Sequence, residues 1–175
     1  DGGIGFLFVT HVLDEVYRIS DRVTVLRDGR AVGTYETRTL SRFRLVSEML
    51  GRPAPEGPGG PEAGPAGKEK DREVAPARAR GIPVVSARGL GRSGAVDGLH
   101  VELYAGEVFG LAGLLGSGRT EAARLLFGAD RPDRGYLKVD GKPVSRGSPR
   151  RAVALGLAFC PEDRKIEGIF PDMSV

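Results

Sequence analysis

The sequence has no tryptophan, a single cysteine and only 6% aromatic side chains in 175 residues. Proteins that grip single-stranded nucleic acid by stacking need aromatic platforms, and this chain is short of them. With Cys160 alone no internal disulfide can form, and a small, buried thiol in a reducing compartment is expected. No stretch reaches the roughly 18 to 20 consecutive apolar residues that a membrane-spanning helix needs. An excess of one charge is missing too. Twenty-six basic side chains face twenty-three acidic ones, and the net charge of +3 is scattered rather than gathered into a stripe for nucleic acid. The opening residues, DGGIGFLFVTH, lack the basic flank of a secretory signal. Their abrupt entry into an apolar run, without an initiating Met, is expected of a piece of a longer chain.

What is present fits a soluble globular protein: 40% hydrophobic and 28% charged residues, enough for one ordinary domain or parts of two. The sharpest internal boundary is residues 51–81, GRPAPEGPGGPEAGPAGKEKDREVAPARARG, with no aromatic residue and Val74 as its one branched aliphatic. Such a segment buries too little apolar surface to offset its ordering entropy, and it reads as a flexible linker stiffened by proline. It divides a front stretch, 1–50, from a back stretch, 82–175.

In the front stretch, Ile4 to Thr10 has the near-continuous apolar run of a strand buried on both faces. Val12, Val16 and Ile19 then stand at helical spacing on a short helix. Val23–Leu26 and Ala31–Tyr35 flank Asp28-Gly29, a tight hairpin signal. SRFRLVSEMLG reads as an amphipathic helix capped by Ser41 and stopped by Gly51. In the back stretch, Val96–Leu103 alternates as a strand, Ala105-Gly106 turns the chain, and Glu107–Ala112 is a more buried strand. TEAARLLFG follows as a helix, Asp140-Gly141 repeats the hairpin device, and Ser148-Pro149 opens a further helix. Leu157–Cys160 reads as a short buried strand leading into the loop PEDRKIEG.

Between the buried strand and its helix lies GLLGSGRT: Gly113, four residues, Gly118, then a cation and a hydroxyl. A strand, a glycine-rich turn and a helix N-terminus form an anion site, because glycines let backbone N–H groups converge and the helix adds about half a positive charge. Gly113, Gly116, Ser117 and Gly118 would cradle the phosphates, and the Thr120 hydroxyl would hold Mg²⁺. Arg119 stands where such a loop ordinarily has lysine. Its planar fork keeps the charge and changes the shape, so binding is expected to weaken and hydrolysis to suffer most. The competing reading is an ordinary strand-to-helix turn in a chain with 27 glycines. His11, directly after a buried strand, could meet a terminal phosphate or simply cap a helix. Glu162 to Lys165 form a charged turn or a nucleotide-sensing loop, and Glu107 reads as a structural surface residue.

Two longer stretches carry a resemblance. GEVFGLAGLLGSGRTEAARLLFGADRPDRGYLKVDGKPV with SPRRAVALGLAFCPEDRKIEGIF resembles the start of the second nucleotide-binding cassette of bacterial monosaccharide ABC importers, the ribose and galactose type. FVTHVLDEVYRISDRVTVLRDGRAVGTYETRTLSRFRLVSEMLGR is similar to the end of the first cassette of the same subunit. The resemblance implies an α/β fold, pieces of two P-loop cassettes with partial parallel sheets and an antiparallel β subdomain, joined by the linker. It implies ATP and Mg²⁺ as ligands and a peripheral place on the cytoplasmic face of the membrane. Its partners would be integral membrane permease subunits and a periplasmic or lipid-anchored sugar-binding protein, with no nucleic acid. By position, His11 corresponds to the switch histidine that meets the γ-phosphate. Gly113 to Thr120 corresponds to the phosphate loop, where arginine is similar to the family's own second-cassette pattern. Glu162 falls where other cassettes carry the Q-loop glutamine. Ahead of the loop, GLGRSGAVDG offers no aromatic to stack on adenine. Since signature motifs and acidic strands are missing from the sequence, the chain is expected to hold no complete composite site and to leave hydrolysis to the intact subunit. The alternatives are a truncated, non-hydrolytic binding or scaffold module and an unrelated P-loop kinase or GTPase.

Overall fold

The computed structural model describes residues 3–52, 81–144 and 148–161. Most of the linker, and Glu162 with the rest of PEDRKIEG after Pro161, lie outside the described residues. The elements run in the order β1 (Phe6–Thr10), α1 (Leu13–Ile19), β2 (Arg22–Arg27), β3 (Arg30–Glu36), α2 (Arg42–Leu50), β4 (Val85–Arg92), β5 (Val96–Leu103), β6 (Val108–Gly113), α3 (Arg119–Phe127), β7 (Arg134–Val139), β8 (Lys142–Pro143) and α4 (Pro149–Ala154).

Two four-stranded sheets result, one in the order β1-β6-β2-β3 and one in the order β5-β4-β7-β8. The second sheet is antiparallel throughout. In the first, β6 runs parallel to both β1 and β2, and β3 closes the β2 side as an antiparallel hairpin partner. The fold is thus α/β, with a partial parallel sheet and an antiparallel β subdomain as expected. Its division differs from the sequence reading in one respect. The front and back stretches do not form separate, cut sheets, because the back stretch's β6 lies between two strands of the front stretch. The two edges of β6 are thereby hydrogen-bonded to β1 and β2.

Side-chain alternation along these strands divides the core. Phe109 and Leu111 of β6, with Leu26, face α3 and the second sheet, where Leu90, Leu99 and Leu125 are fully buried. Ala112, Val23 and Val25 face the opposite way, onto α1 and α2, where Val16, Leu45 and Met49 close the layer. The Asp28-Gly29 and Asp140-Gly141 turns both form, each with Asp and Gly at positive φ. Ser41 accepts from the Arg44 N–H at 3.2 Å, and Gly51 ends α2 in the left-handed region. Ser148 likewise caps α4 through the Arg151 N–H at 3.3 Å.

Several expectations are corrected. β1 is an edge strand, so Phe6 is 57% exposed instead of buried on both faces. The inner face of α1 is Leu13, Val16 and Tyr17, while Val12 and Ile19 are exposed; the helix starts one residue later than the apolar spacing implies, at the Thr10 turn. Leu157–Cys160 pairs with no described strand; Leu157 packs on the core and Phe159 stacks on Phe127 at 5.3 Å, leaving Cys160 exposed. Strand β4 has no counterpart in the sequence reading. Its pairing is interrupted by register shifts around Gly89 and Gly91, which break the alternation that reveals a strand.

Glu107 is no surface residue. It is 8% exposed and takes a bidentate contact from Arg22, Nε to Oε1 at 2.5 Å and Nη2 to Oε2 at 3.0 Å. The same Nη2 donates to the Glu102 carbonyl at 2.6 Å, the Tyr104 N–H donates to Glu107 Oε2, and the guanidinium lies over Phe109 at 4.8 Å. A buried pair broken on one side leaves an uncompensated charge, typically costing about 3–5 kcal/mol. Arg22→Met alone should therefore lower unfolding free energy by about 3 kcal/mol in urea titration. Arg22→Met with Glu107→Leu should be markedly milder than the single change.

Candidate phosphate-binding site

Strand β6 ends at Gly113 and the chain turns through Leu114–Gly118 into α3, the expected strand, glycine loop and helix. The loop closes on itself through Ser117 N–H donating to the Leu114 carbonyl at 3.0 Å. Gly116 has φ +76° and Gly118 φ +92°, values that side-chain-bearing residues rarely adopt. Glycine at the cap of α3 brings no side chain to cap the helix, and helix N-termini favour anions.

Tight packing holds this loop open. A methyl on Gly113 would stand 2.4 Å from the Leu26 carbonyl oxygen and 2.4 Å from Ser117 Oγ. One on Gly118 would stand 2.9 Å from the Ala95 carbonyl oxygen, whereas one on Gly116 would meet nothing within 4 Å. The loop's base is therefore closely seated while the space above Gly116 is open. Ser117 is buried, and among the described residues its hydroxyl has no hydrogen-bond partner. An open cradle with an unsatisfied buried hydroxyl at a helix N-terminus without a side-chain cap fits the phosphates of a nucleotide. Thr120 is half-buried in the first turn of α3. Among the described residues no group of three or more His, Cys, Asp or Glu could hold a metal by itself, so Mg²⁺ would arrive with the phosphates and meet Thr120. Arg119, the first residue of α3, is only 4% exposed and so is held within the protein rather than in solvent.

The sheet brings a second candidate to the same edge. Thr10 pairs with Ala112 and Leu26 with Gly113, so the chain leaves β1 at His11 beside the start of the loop. His11 is exposed, and its turn is fixed by Thr10, whose Oγ1 donates to Glu15 at 2.6 Å and accepts from the Val12 N–H at 3.0 Å. Catalytic and binding groups of parallel sheets emerge at this carboxyl edge. The sequence reading placed His11 and the loop in different cassettes, whereas the sheet sets them side by side.

Beyond Gly116 the loop borders a cleft of about 420 Å³. Its walls are the Asp28–Arg30 turn, the Gly94–Asp97 segment, Arg92 and Arg134. Asp97 bridges Arg30, at 2.8 Å, and Arg134, and Arg92 pairs with Asp130 at 3.0 Å. Asp133 accepts the Ser93 N–H at 2.7 Å, and that bond holds its carboxyl below the usual carboxylate range. The β4–β5 turn is thereby tied down beside the loop. Of these walls the sequence singled out the Asp28-Gly29 turn but not Arg30, Arg92, Asp97 or Arg134; isolated arginines and aspartates carry no spacing signal, and only the meeting of β3, β4, β5 and β7 gathers them.

Because Gly113 is seated against Leu26, Gly113→Ala should lower stability by about 1–3 kcal/mol, the usual range for overpacking, read as a fall in the urea midpoint. Gly116→Ala, with open space but positive φ, should cost less.

Residues 96–175 match the ABC transporter family. Over its whole length the chain is 41% identical to a fructose import ATP-binding protein of Bifidobacterium longum, covering 33% of that protein. It is 42% identical, again over its whole length and 33% of the relative, to a galactofuranose transporter ATP-binding protein of Escherichia coli strain K12. A ribose import ATP-binding protein of Burkholderia ambifaria is 43% identical over 99% of the chain and 31% of its own length. The chain thus spans about a third of the length of these curated relatives. No solved structure matches it.

Proposed function

We propose that this chain is part of the ATP-binding subunit of a sugar importer, joining the end of a first nucleotide-binding cassette (1–50) to the start of a second (82–175) through the linker 51–81. The observation that carries the reading is the open glycine cradle at the carboxyl edge of a parallel sheet, in a chain alike over its whole length to sugar-import ATP-binding proteins. Gly113, Gly116, Ser117 and Gly118 hold the phosphates of ATP, and the Thr120 hydroxyl ligates the accompanying Mg²⁺. His11 donates to the terminal phosphate of the productive site in the intact subunit. Bound MgATP supplies a phosphoryl group whose transfer to water depends on positioning and charge neutralisation.

Arg119 separates binding from turnover. Its buried guanidinium keeps a positive charge near the phosphates, but its planar fork cannot follow a moving γ-phosphate as a compact ammonium does. The Arg119 loop therefore binds or signals, and productive hydrolysis belongs to the site that His11 serves in the intact subunit. Glu162 lies in the loop that conveys nucleotide state to the permease. The subunit works on the cytoplasmic face of the membrane, docked on integral permease subunits supplied by a periplasmic or lipid-anchored sugar-binding protein. The burial of Arg119 also suits the second reading, a module that binds nucleotide without hydrolysing it.

Calorimetric titration of the 175-residue chain with MgATP should give saturable binding that weakens when Mg²⁺ is withdrawn and in Thr120→Ala. Phosphate release by the chain alone should stay at background. Absence of binding would sink the nucleotide reading, and turnover abolished by Thr120→Ala would sink the division of labour.

A further inference from the structure

The Asp28-Gly29 turn connects two strands of the front stretch, yet its closest neighbours belong to the back stretch. The Gly29 N–H donates to the Ser117 carbonyl at 3.0 Å, and the Gly29 carbonyl accepts from the Asp97 N–H at 2.7 Å. A methyl on Gly29 would stand 2.5 Å from the Ala95 carbonyl oxygen, and one on Gly118 would stand 3.0 Å from Gly29 Cα. Three backbone segments, the hairpin turn, the phosphate loop and the β4–β5 turn, therefore meet with no side chain between them.

The Ser117 carbonyl belongs to the peptide that enters α3. A trans peptide is planar, so fixing the direction of its C=O fixes the Gly118 N–H to the opposite direction. Gly29 holds that C=O. The aim of the donors at the helix N-terminus is thus set from outside the loop, by a residue more than eighty positions earlier in the chain. The neighbouring register points the same way, since Leu26 pairs with Gly113 and Arg30 pairs with Asp97 at 2.8 Å.

The plainer explanation is that Gly29 serves only its hairpin, and the molecule contains its own control for this. Asp140-Gly141 is the same turn with nearly the same backbone, φ 49° and 72° against 51° and 74°. A methyl on Gly141 would meet nothing within 4 Å. Alanine at either position pays for the positive φ, but alanine at Gly29 also displaces the contact with the loop.

We propose that Gly29 is a positioning residue for the phosphate loop, and that the Asp28-Gly29 turn is a backbone brace making the front stretch a component of the nucleotide site. The inference rests on the reading that Gly113–Thr120 holds nucleotide phosphates. A ligand that immobilises the loop must then also immobilise the hairpin, so nucleotide binding is felt along β2 and β3.

The test compares Gly29→Ala, Gly141→Ala and the unsubstituted chain for affinity toward a fluorescent trinitrophenyl-ATP, displaced by MgATP. Displacing a binding group by about 1 Å commonly costs up to about a hundredfold, so Gly29→Ala is expected to bind at least about tenfold more weakly than Gly141→Ala. A purely structural role would shift the melting temperature of both variants and leave their affinities alike; equal affinities overturn the brace. Should Gly29→Ala fail to fold, hydrogen exchange in the unsubstituted chain decides. MgATP is expected to slow exchange of the Gly29 amide and leave that of Gly141 unchanged, and an unaltered Gly29 amide overturns the brace. An unsubstituted chain that binds no nucleotide removes the phosphate-loop reading and the brace with it, whereas binding with equal variants removes the brace alone.

Discussion

Everything in this molecule depends on β6 being accepted between β1 and β2. The contact that fixes this insertion is the buried pair of Arg22 and Glu107, at the point where β2 and β6 begin. Glu107 cannot be buried alone, because an isolated carboxylate in an apolar surrounding is far too costly. It is buried because Arg22 meets both its oxygens while Phe109 and Tyr104 cover the guanidinium. The neighbouring bonds then follow in register. Val108 N–H donates to Asp21, Asp21 N–H donates to the Val108 carbonyl, and Phe6 N–H donates to the Glu107 carbonyl. One ion pair and three backbone-scale bonds so place the front strands that, five residues on, Thr10 and Leu26 flank the start of the glycine loop.

At that far end the interactions change in kind. The base of the phosphate loop is held almost entirely by main chain, through Leu26, Gly29, Ala95 and Ser117. Charged side chains occupy the periphery, where Asp97 and Asp130 tie three arginines into the cleft wall. Those pairs are largely exposed and each contributes little to stability. Their consequence is positional, since they keep the β4–β5 turn against the loop. Close backbone approach explains why glycine appears where it does more fully than chain flexibility would.

Features decided by neighbours in sequence were legible without a structure. The two Asp-Gly turns, the Ser41 and Ser148 caps and the glycine run before α3 all depend on local backbone chemistry, and each forms as read. Features decided by neighbours in space were not. Glu107 reads as a surface residue because nothing near it in sequence announces Arg22. β1 reads as fully buried because its composition is apolar, although its position in the sheet leaves one side open. β4 escapes notice because its glycines interrupt the alternation, and with it escape the arginines of the cleft. For the candidate site the division is the same: the loop residues are visible as a motif, while the placing of His11 beside them depends on a pairing between distant strands.

The placing of His11 bears on what an arginine-bearing loop can be for. Here Gly116 has open space around it and a φ that any other residue adopts only with strain, so glycine is what lets the loop make this turn. Arg119 is buried rather than turned out to solvent, so its charge is held inside the protein at the start of α3. On the proposed reading, geometry and charge for holding phosphate stand together in this loop. The compact, mobile ammonium that follows a departing phosphoryl group is the element that differs. On that reading the site is suited to reporting occupancy, and the backbone contact between the loop and the Asp28-Gly29 turn gives the report a physical path into the first sheet.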